Sequence, residues 1–501
     1  MVVGNVLGSR KANQWVHWLA FLCVAAILVL GPLIRGGNRQ IALAALLALG
    51  AVVLAALLSQ ATYRLCSRDA VTPLTSTAPL QPTVARPAWW WALIVLVASS
   101  PLWVALIQLL PVSSSLWGNL AGRDPYLGAL ASAGISAPAT LPLSLHPSGT
   151  WTALWSAIPV MAVFVAALCI NHRSTEKLLH LLLLSALLQS ILGLLQFVQG
   201  PTSLFYFGSS ASGVIGTFNN RNHLADFLAM LVPVWFYFLV SQTASSRRKH
   251  TRTASNRFLN ASKPLWLFGG FGMLIMVLST RSRGGLIAVS SVLLLSILFY
   301  LFSLGSKLTR IQKLGVLGAF VVFAVLSIFS VEIDTLGQRF EGTRLKTDSE
   351  VRNAYALATL EAARTFWPWG SGMGSFEAVF PRFQPLQTPG YVPHAHNDYP
   401  QLLMELGAAA VLIVVMVCTL IVLQIRHLLR AMRHAQRITS EVALRSFAGL
   451  GVLALLLHSW VEFNTHIPAL AITAAFLAGV FLKPLEELDI SSRSPTSRRY
   501  Q

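Results

Sequence analysis

The run 178–198, LLHLLLLSALLQSILGLLQFV, is 21 residues long and carries no Asp, Glu, Lys or Arg. At about 1.5 Å of rise per residue it makes a helix of about 30 Å, the depth of a bilayer's hydrocarbon core. In hydrocarbon every backbone N–H and C=O must find a partner inside the segment, and a helix meets that demand by itself.

Eleven other stretches read the same way. The twelve lie at 15–34, 41–58, 88–110, 151–170, 178–198, 224–240, 264–279, 286–302, 314–333, 402–425, 446–461 and 468–482, the seventh and the last being the weakest. Composition agrees, with 55% hydrophobic and 11% charged residues against about 25% charged in an ordinary soluble domain. The expected fold is an all-α polytopic membrane protein of about 12 transmembrane helices. The first run has spanning length and no small-residue cleavage site, so it reads as a retained helix.

A formal charge of +19 from 37 Lys and Arg against 18 Asp and Glu would suggest nucleic acid in a soluble protein. Threaded through twelve spans with both termini cytoplasmic, the whole surplus falls on the cytoplasmic side and the outer loops balance to zero. The basic runs Arg247, Arg248, Lys249, Arg252, Arg257 and Arg426, Arg430, Arg433, Arg437 are then orientation signals, and no nucleic-acid partner is expected. Cys23, Cys169 and Cys418 fall in spans and Cys66 in a cytoplasmic loop, with neither disulfide nor metal spacing.

Three regions follow. Residues 1–200 hold the first five spans and a Pro- and Thr-rich cytoplasmic linker at 71–86. Residues 201–482 hold the remaining spans and a large outer loop, 334–401, between the ninth and tenth. Residues 483–501 form a cytoplasmic tail. Long outer connections, here 111–150 and 334–401, are where a site is built on a tight bundle.

Four polar clusters sit where helices start on the outer face, the end whose unpaired N–H groups and dipole favour an anion. In Gly216–His223, Asn219 or Asn222 can cap the next helix, and Asn220, Arg221 and Asn222 are candidates for sugar or phosphate contact. Asp226, one turn on, is costly in a membrane unless paired. In Ser279–Gly285, Arg281 and Arg283 read either as snorkelling anchors or as bidentate phosphate ligands, Arg283 lying nearest the helix start. Thr347 and Glu350 suggest a capping box before a helix over 351–366. Arg352 in its first turn opposes the dipole, which makes it an ordinary surface residue or the partner of a bound anion; Arg339, Arg344, Arg364 and Arg382 share its loop. The following Gly370–Ser375 run lacks the strand and Lys of a phosphate loop and reads as a tight turn.

The fourth cluster is His394, His396, Asn397, Asp398 and Tyr399. A His here is a general base or hydrogen-bond donor oriented by a partner such as Asp398. Only Asp398 and Glu405 are nearby carboxylates, so neither a metal nor another cofactor is expected. Arg groups for a diphosphate, a His for a hydroxyl and amides for sugars point to transfer from a lipid-linked donor at the outer interface. A flippase or other transporter is the competing class, disfavoured because the spans are nearly free of charge.

At these residues the sequence resembles the O-antigen ligase and polymerase superfamily of bacterial inner membranes, from about 201 to 481. The resemblance implies a GT-C-like, metal-independent, inverting glycosyltransferase of the Gram-negative inner membrane. Its active site would face the periplasm and take a glycan from undecaprenyl diphosphate to lipid A core, with repeat-unit polymerisation and protein O-oligosaccharyl transfer as alternatives. Carried over, Arg283 and Arg352 hold the diphosphate and His396 activates the acceptor hydroxyl. Arg281 and His394 can exchange roles with them.

Overall fold

The computed structural model describes residues 2–68, 86–206, 213–245, 263–304, 308–340, 348–388, 390–434 and 438–484. Most of the 71–86 linker, the 247–257 basic run, Arg437, Arg344, Thr347 of the expected capping box and the tail from 485 lie outside the described residues. The main helices are α1 (Val2–Leu33), α2 (Gln40–Arg68), α3 (Ala88–Ala98), α4 (Ser100–Gln108), α5 (Pro147–Cys169), α6 (His172–Gln199), α7 (Arg221–Ser245), α8 (Lys263–Thr280), α9 (Arg283–Phe299), α10 (Arg310–Phe340), α11 (Asp348–Thr365), α12 (Asp398–Leu406), α13 (Ala408–His434), α14 (Ser440–His458) and α15 (Pro468–Leu482).

Each of the twelve apolar stretches lies largely in helix, yet among the described residues nine helices are long and apolar enough to cross a membrane. A tenth candidate is α3 with α4, bent by 54° where Pro101, in the first turn of α4, cannot donate to the preceding turn. The apolar part of α8 and the whole of α15 fall short of spanning length. α15 has only 15 residues, but nearly all are buried against protein, so its length is not set by the depth of lipid.

The core is organised around α7. In its most apolar window 89% of residues are buried, as expected of a helix that is hydrophobic all round, and it packs against α6, α8, α9, α14 and α15. The starts of α7 and α9 and the end of α14 meet at one end of the bundle, hereafter the site end. Arg426, Arg430 and Arg433 lie towards the far end of α13.

Over the site end the two long loops fold into one cap. Strands β1 (Pro111–Ser113) and β2 (Thr140–Pro142) pair antiparallel, with Val112 opposite Leu141. Ala362 and Phe366 of α11 share a hydrophobic cluster with Phe376, Phe380, Met404, Tyr126 and Leu145. Arg123, with 0% of its surface exposed, ties the loops together by donating to the carbonyls of Ala121, Leu143 and Gly370. Burial lowers its pKa to about 10.

The Gly-rich run is the expected tight turn. Ser371 and Gly372 N–H groups donate to the Met404 and Glu405 carbonyls, and the N–H groups of Gly374 and Phe376 donate to the Glu405 carboxylate at 2.9 and 3.2 Å. The turn does hold an acidic group, but one supplied by the chain, Glu405, whose burial raises its pKa. Gly370 sits at φ 74, and a Cβ there would lie 2.4 Å from the Glu405 carbonyl oxygen, so the approach requires glycine.

Candidate active site

The centre of the polar network is the connection between α14 and α15, His458–His466 (HSWVEFNTH). Glu462 in this segment is completely buried. Its carboxylate accepts from His396 Nδ1 at 2.8 Å, from Arg352 Nη1 at 2.9 Å and from the Asn222 side-chain amide. Arg352 also donates to the Val461 carbonyl at 2.8 Å. Three of the four sequence clusters thus converge on one carboxylate.

Burial alone would raise the pKa of Glu462. The hydrogen bond from His396 and the charge of Arg352 outweigh it and hold the carboxyl well below the usual range. An ionised carboxylate only accepts hydrogen bonds, so Nδ1 of His396 is the donor and Nε2 is the nitrogen left to meet a substrate, the arrangement a general base uses. His396 lies at φ 51, a left-handed backbone that costs a non-glycine residue about 1–3 kcal/mol and recurs at functional sites. The next residue, Asn397, caps α12 by accepting from the Tyr399 N–H at 3.1 Å.

Asp398, expected to orient His396, does not do so. Its carboxylate accepts from His466 Nδ1 at 2.9 Å and from the Thr465 N–H at 3.0 Å, so the turn before α15 consumes it. Glu462 takes the orienting place. Likewise, the Arg352 charge that opposed its helix dipole is balanced by Glu462, where the sequence suggested a bound anion. Asn220, not Asn219 or Asn222, caps α7, accepting from the Asn222 N–H at 2.9 Å. The acid Asp226 finds its partner in His458, 3.3 Å away and equally buried. The Tyr399 hydroxyl donates to the Leu456 carbonyl at 2.6 Å, and burial raises its pKa to about 12.

His394 packs beside Gln401. The Gln401 Oε1 accepts from the Ala395 N–H at 3.0 Å, which turns the amide nitrogen toward His466 Nε2, at 3.0 Å, and His394 Nδ1, at 3.4 Å. The same amide nitrogen also lies 3.3 Å from the Glu405 carboxyl, to which it donates. Burial, reinforced by His466 and His396, pushes the His394 pKa down to about 2, so the ring is neutral. It stacks on Phe463 with centroids 4.3 Å apart, while the ring of His396 meets the same phenyl edge-on at 5.0 Å.

A cavity of about 460 Å³ opens beside this network, its walls including Arg35, Asn220, Arg221, Asn222, Arg352 and His394. Arg35, in the turn after α1, had no signal in the sequence beyond its place in an outer loop. Arg283 opens α9 behind the Ser282 cap, whose Oγ accepts from the Gly285 N–H at 3.2 Å. Its side chain is exposed and is not part of the cavity wall. Its neighbour Gly284 packs on His458 and Val461, which sets Arg283 beside the segment carrying Glu462. Arg281, also exposed, sits at φ 54. Asn397, Asp398 and Tyr399 serve helix ends and turns and do not line the cavity. Among the described residues no group of three or more His, Cys, Asp or Glu is arranged to hold a metal ion.

Residues 268–415 match the O-antigen ligase family. The matched stretch runs from α8 into α13 and contains Arg281, Arg283, Arg352, His394 and His396; Arg35, Arg221 and Glu462 lie outside it. Together with the apolar helices, the O-antigen ligase match supports a multi-pass membrane enzyme of the ligase and polymerase type. No curated protein matches the chain.

Proposed function

We propose that this chain is an inverting, metal-independent glycosyltransferase that moves a glycan en bloc from undecaprenyl diphosphate to a hydroxyl of lipid A core. The reading rests on one observation: buried Glu462 holds His396 and Arg352 together, and Arg352 lines a cavity walled by guanidinium groups beside which His396 sits without lining it. The family match supports an enzyme of the ligase and polymerase type, within which ligation is the reading proposed and polymerisation the alternative.

In the reaction the acceptor hydroxyl hydrogen-bonds to His396 Nε2, and its oxygen attacks the anomeric carbon opposite the diphosphate. A new C–O bond forms, the bond from the anomeric carbon to the phosphate oxygen breaks, and Nε2 takes the hydroxyl proton. The imidazolium that results is stabilised by Glu462, and such proton transfer contributes about 10²–10⁴-fold. The negative charge that develops on the departing diphosphate is met by Arg352 and Arg221, with Arg283 on the flank. His394, Asn220 and Asn222, which line the cavity, offer polar groups to sugar hydroxyls. The basic far end of α13 supports a reading in which the site end faces outward, to the periplasm.

Two experiments test the assignment. Purified protein in detergent transfers glycan from a lipid diphosphate to lipid A core; no transfer to any hydroxyl acceptor contradicts the proposal. In a deletion strain, bare core with accumulated lipid-linked polymer supports ligation, and core bearing a single repeat assigns polymerisation instead.

A further inference from the structure

The turn after α1 contributes to the cavity although it lies more than 200 residues before the matched region. Arg35 has φ 48, and Gly36 and Gly37 follow at 68 and 80. The turn has no slack. A Cβ on Gly36 would lie 2.9 Å from the Phe218 ring and 3.1 Å from Ile467, and one on Gly37 would lie 3.0 Å from Pro468. Phe218 leads into the Asn220–Asn222 wall, and Ile467 follows the segment that carries Glu462. The chain pieces that build the cavity therefore also clamp the turn that delivers Arg35 to it.

A non-glycine residue held left-handed beside two glycines is a poor choice for the turn itself. Its guanidinium, however, completes a set of three with Arg221 and Arg352 around the one cavity. Two guanidinium groups lining the same space as Arg352, whose own charge is already paired with Glu462, leave a net positive wall that matches an anion with several oxygens in two linked groups.

We propose that Arg35 is a donor-binding residue, gripping the lipid-linked diphosphate from the turn after α1. This rests on the function proposed above and deepens it by assigning the donor subsite to the first outer turn. Phosphate chemistry could also come from a phosphorylated acceptor or from an anionic phospholipid headgroup, and the test separates these.

The measurement is the affinity of full-length protein for undecaprenyl diphosphate, without glycan or acceptor, in phosphatidylcholine nanodiscs. Arg35→Gly removes the cation while easing the backbone, so a folded variant is expected, with a melting temperature equal to or above that of the wild type. Its affinity should fall about 10-fold or more, the scale of a lost charged hydrogen bond, with Arg35→Lys in between. Unchanged affinity with a raised KM for acceptor assigns Arg35 to the acceptor and overturns the proposal. So does displacement of the lipid diphosphate by an equal concentration of phosphatidylglycerol. A lowered melting temperature with unchanged affinity reduces Arg35 to a structural residue. His396→Ala should bind the lipid diphosphate normally. Should that variant still transfer glycan while Arg35→Gly binds poorly, the base assignment fails and the donor subsite stands.

Discussion

Glu462 takes hydrogen bonds from three separate chain segments, and its removal is correspondingly informative. Glu462→Gln preserves shape but leaves Arg352 without its counter-ion and His396 without a group that stabilises its protonated form. Turnover is expected to fall about 10²–10⁴-fold with donor affinity changed much less, which a KM-against-kcat comparison checks. The pH dependence has a definite sign. Because the folded-state pKa of Glu462 is depressed, its ionised form contributes fully above the unfolded value of about 4.3 and loses that contribution as pH falls below it. The melting difference between wild type and Glu462→Gln should therefore be flat from about pH 8 to pH 5 and shrink on further acidification. A difference that instead grows toward low pH contradicts the assignment. His396 and Arg352 were legible in the sequence because each broke a local expectation, a His pair at a helix start and a cation against a dipole. Glu462 was not, since an acid in a short outer connection looks ordinary until the fold buries it; the only trace was His458, Glu462 and His466 recurring at intervals of four.

Helix α12 is held at both ends by tight backbone. His396 and Asn397 shape its start, and the Gly370–Ser375 turn grips its last carbonyls and Glu405. Gly370→Ala would force a Cβ against the Glu405 carbonyl in a left-handed conformation, so a loss of about 1–3 kcal/mol is expected. Thermal melting in detergent should show a lower midpoint, and activity should fall with it because the same helix start carries the base. An unchanged midpoint would mean that the turn is not a support of α12. At this scale the long apolar helices were legible from length and composition alone. Short pieces were harder: α3 and α4 read as one span until Pro101 bent them, and α15 is defined by the protein around it more than by its own sequence.

Across the whole molecule the charge of +19 separates from the site. The exposed basic residues Arg426, Arg430 and Arg433 lie toward the end of α13 away from the cap, while the cavity gathers Arg35, Arg221 and Arg352 at the other end. The orientation argument predicts opposite accessibility for the two. In a cysteine-free background, Leu386→Cys on the cap, where the residue is 96% exposed, should react with a membrane-impermeant thiol reagent in intact cells. Arg430→Cys should react only after permeabilisation. The reverse pattern would turn the site toward the cytosol, away from the proposed donor.

The central claim is that His396, oriented by Glu462, accepts the proton of the attacking hydroxyl. Its most direct test is single-turnover transfer by purified His396→Ala with donor binding measured on the same sample. A rate lower by about 10²–10⁴-fold with undiminished binding of lipid diphosphate is the predicted result. Transfer at the wild-type rate would contradict the claim.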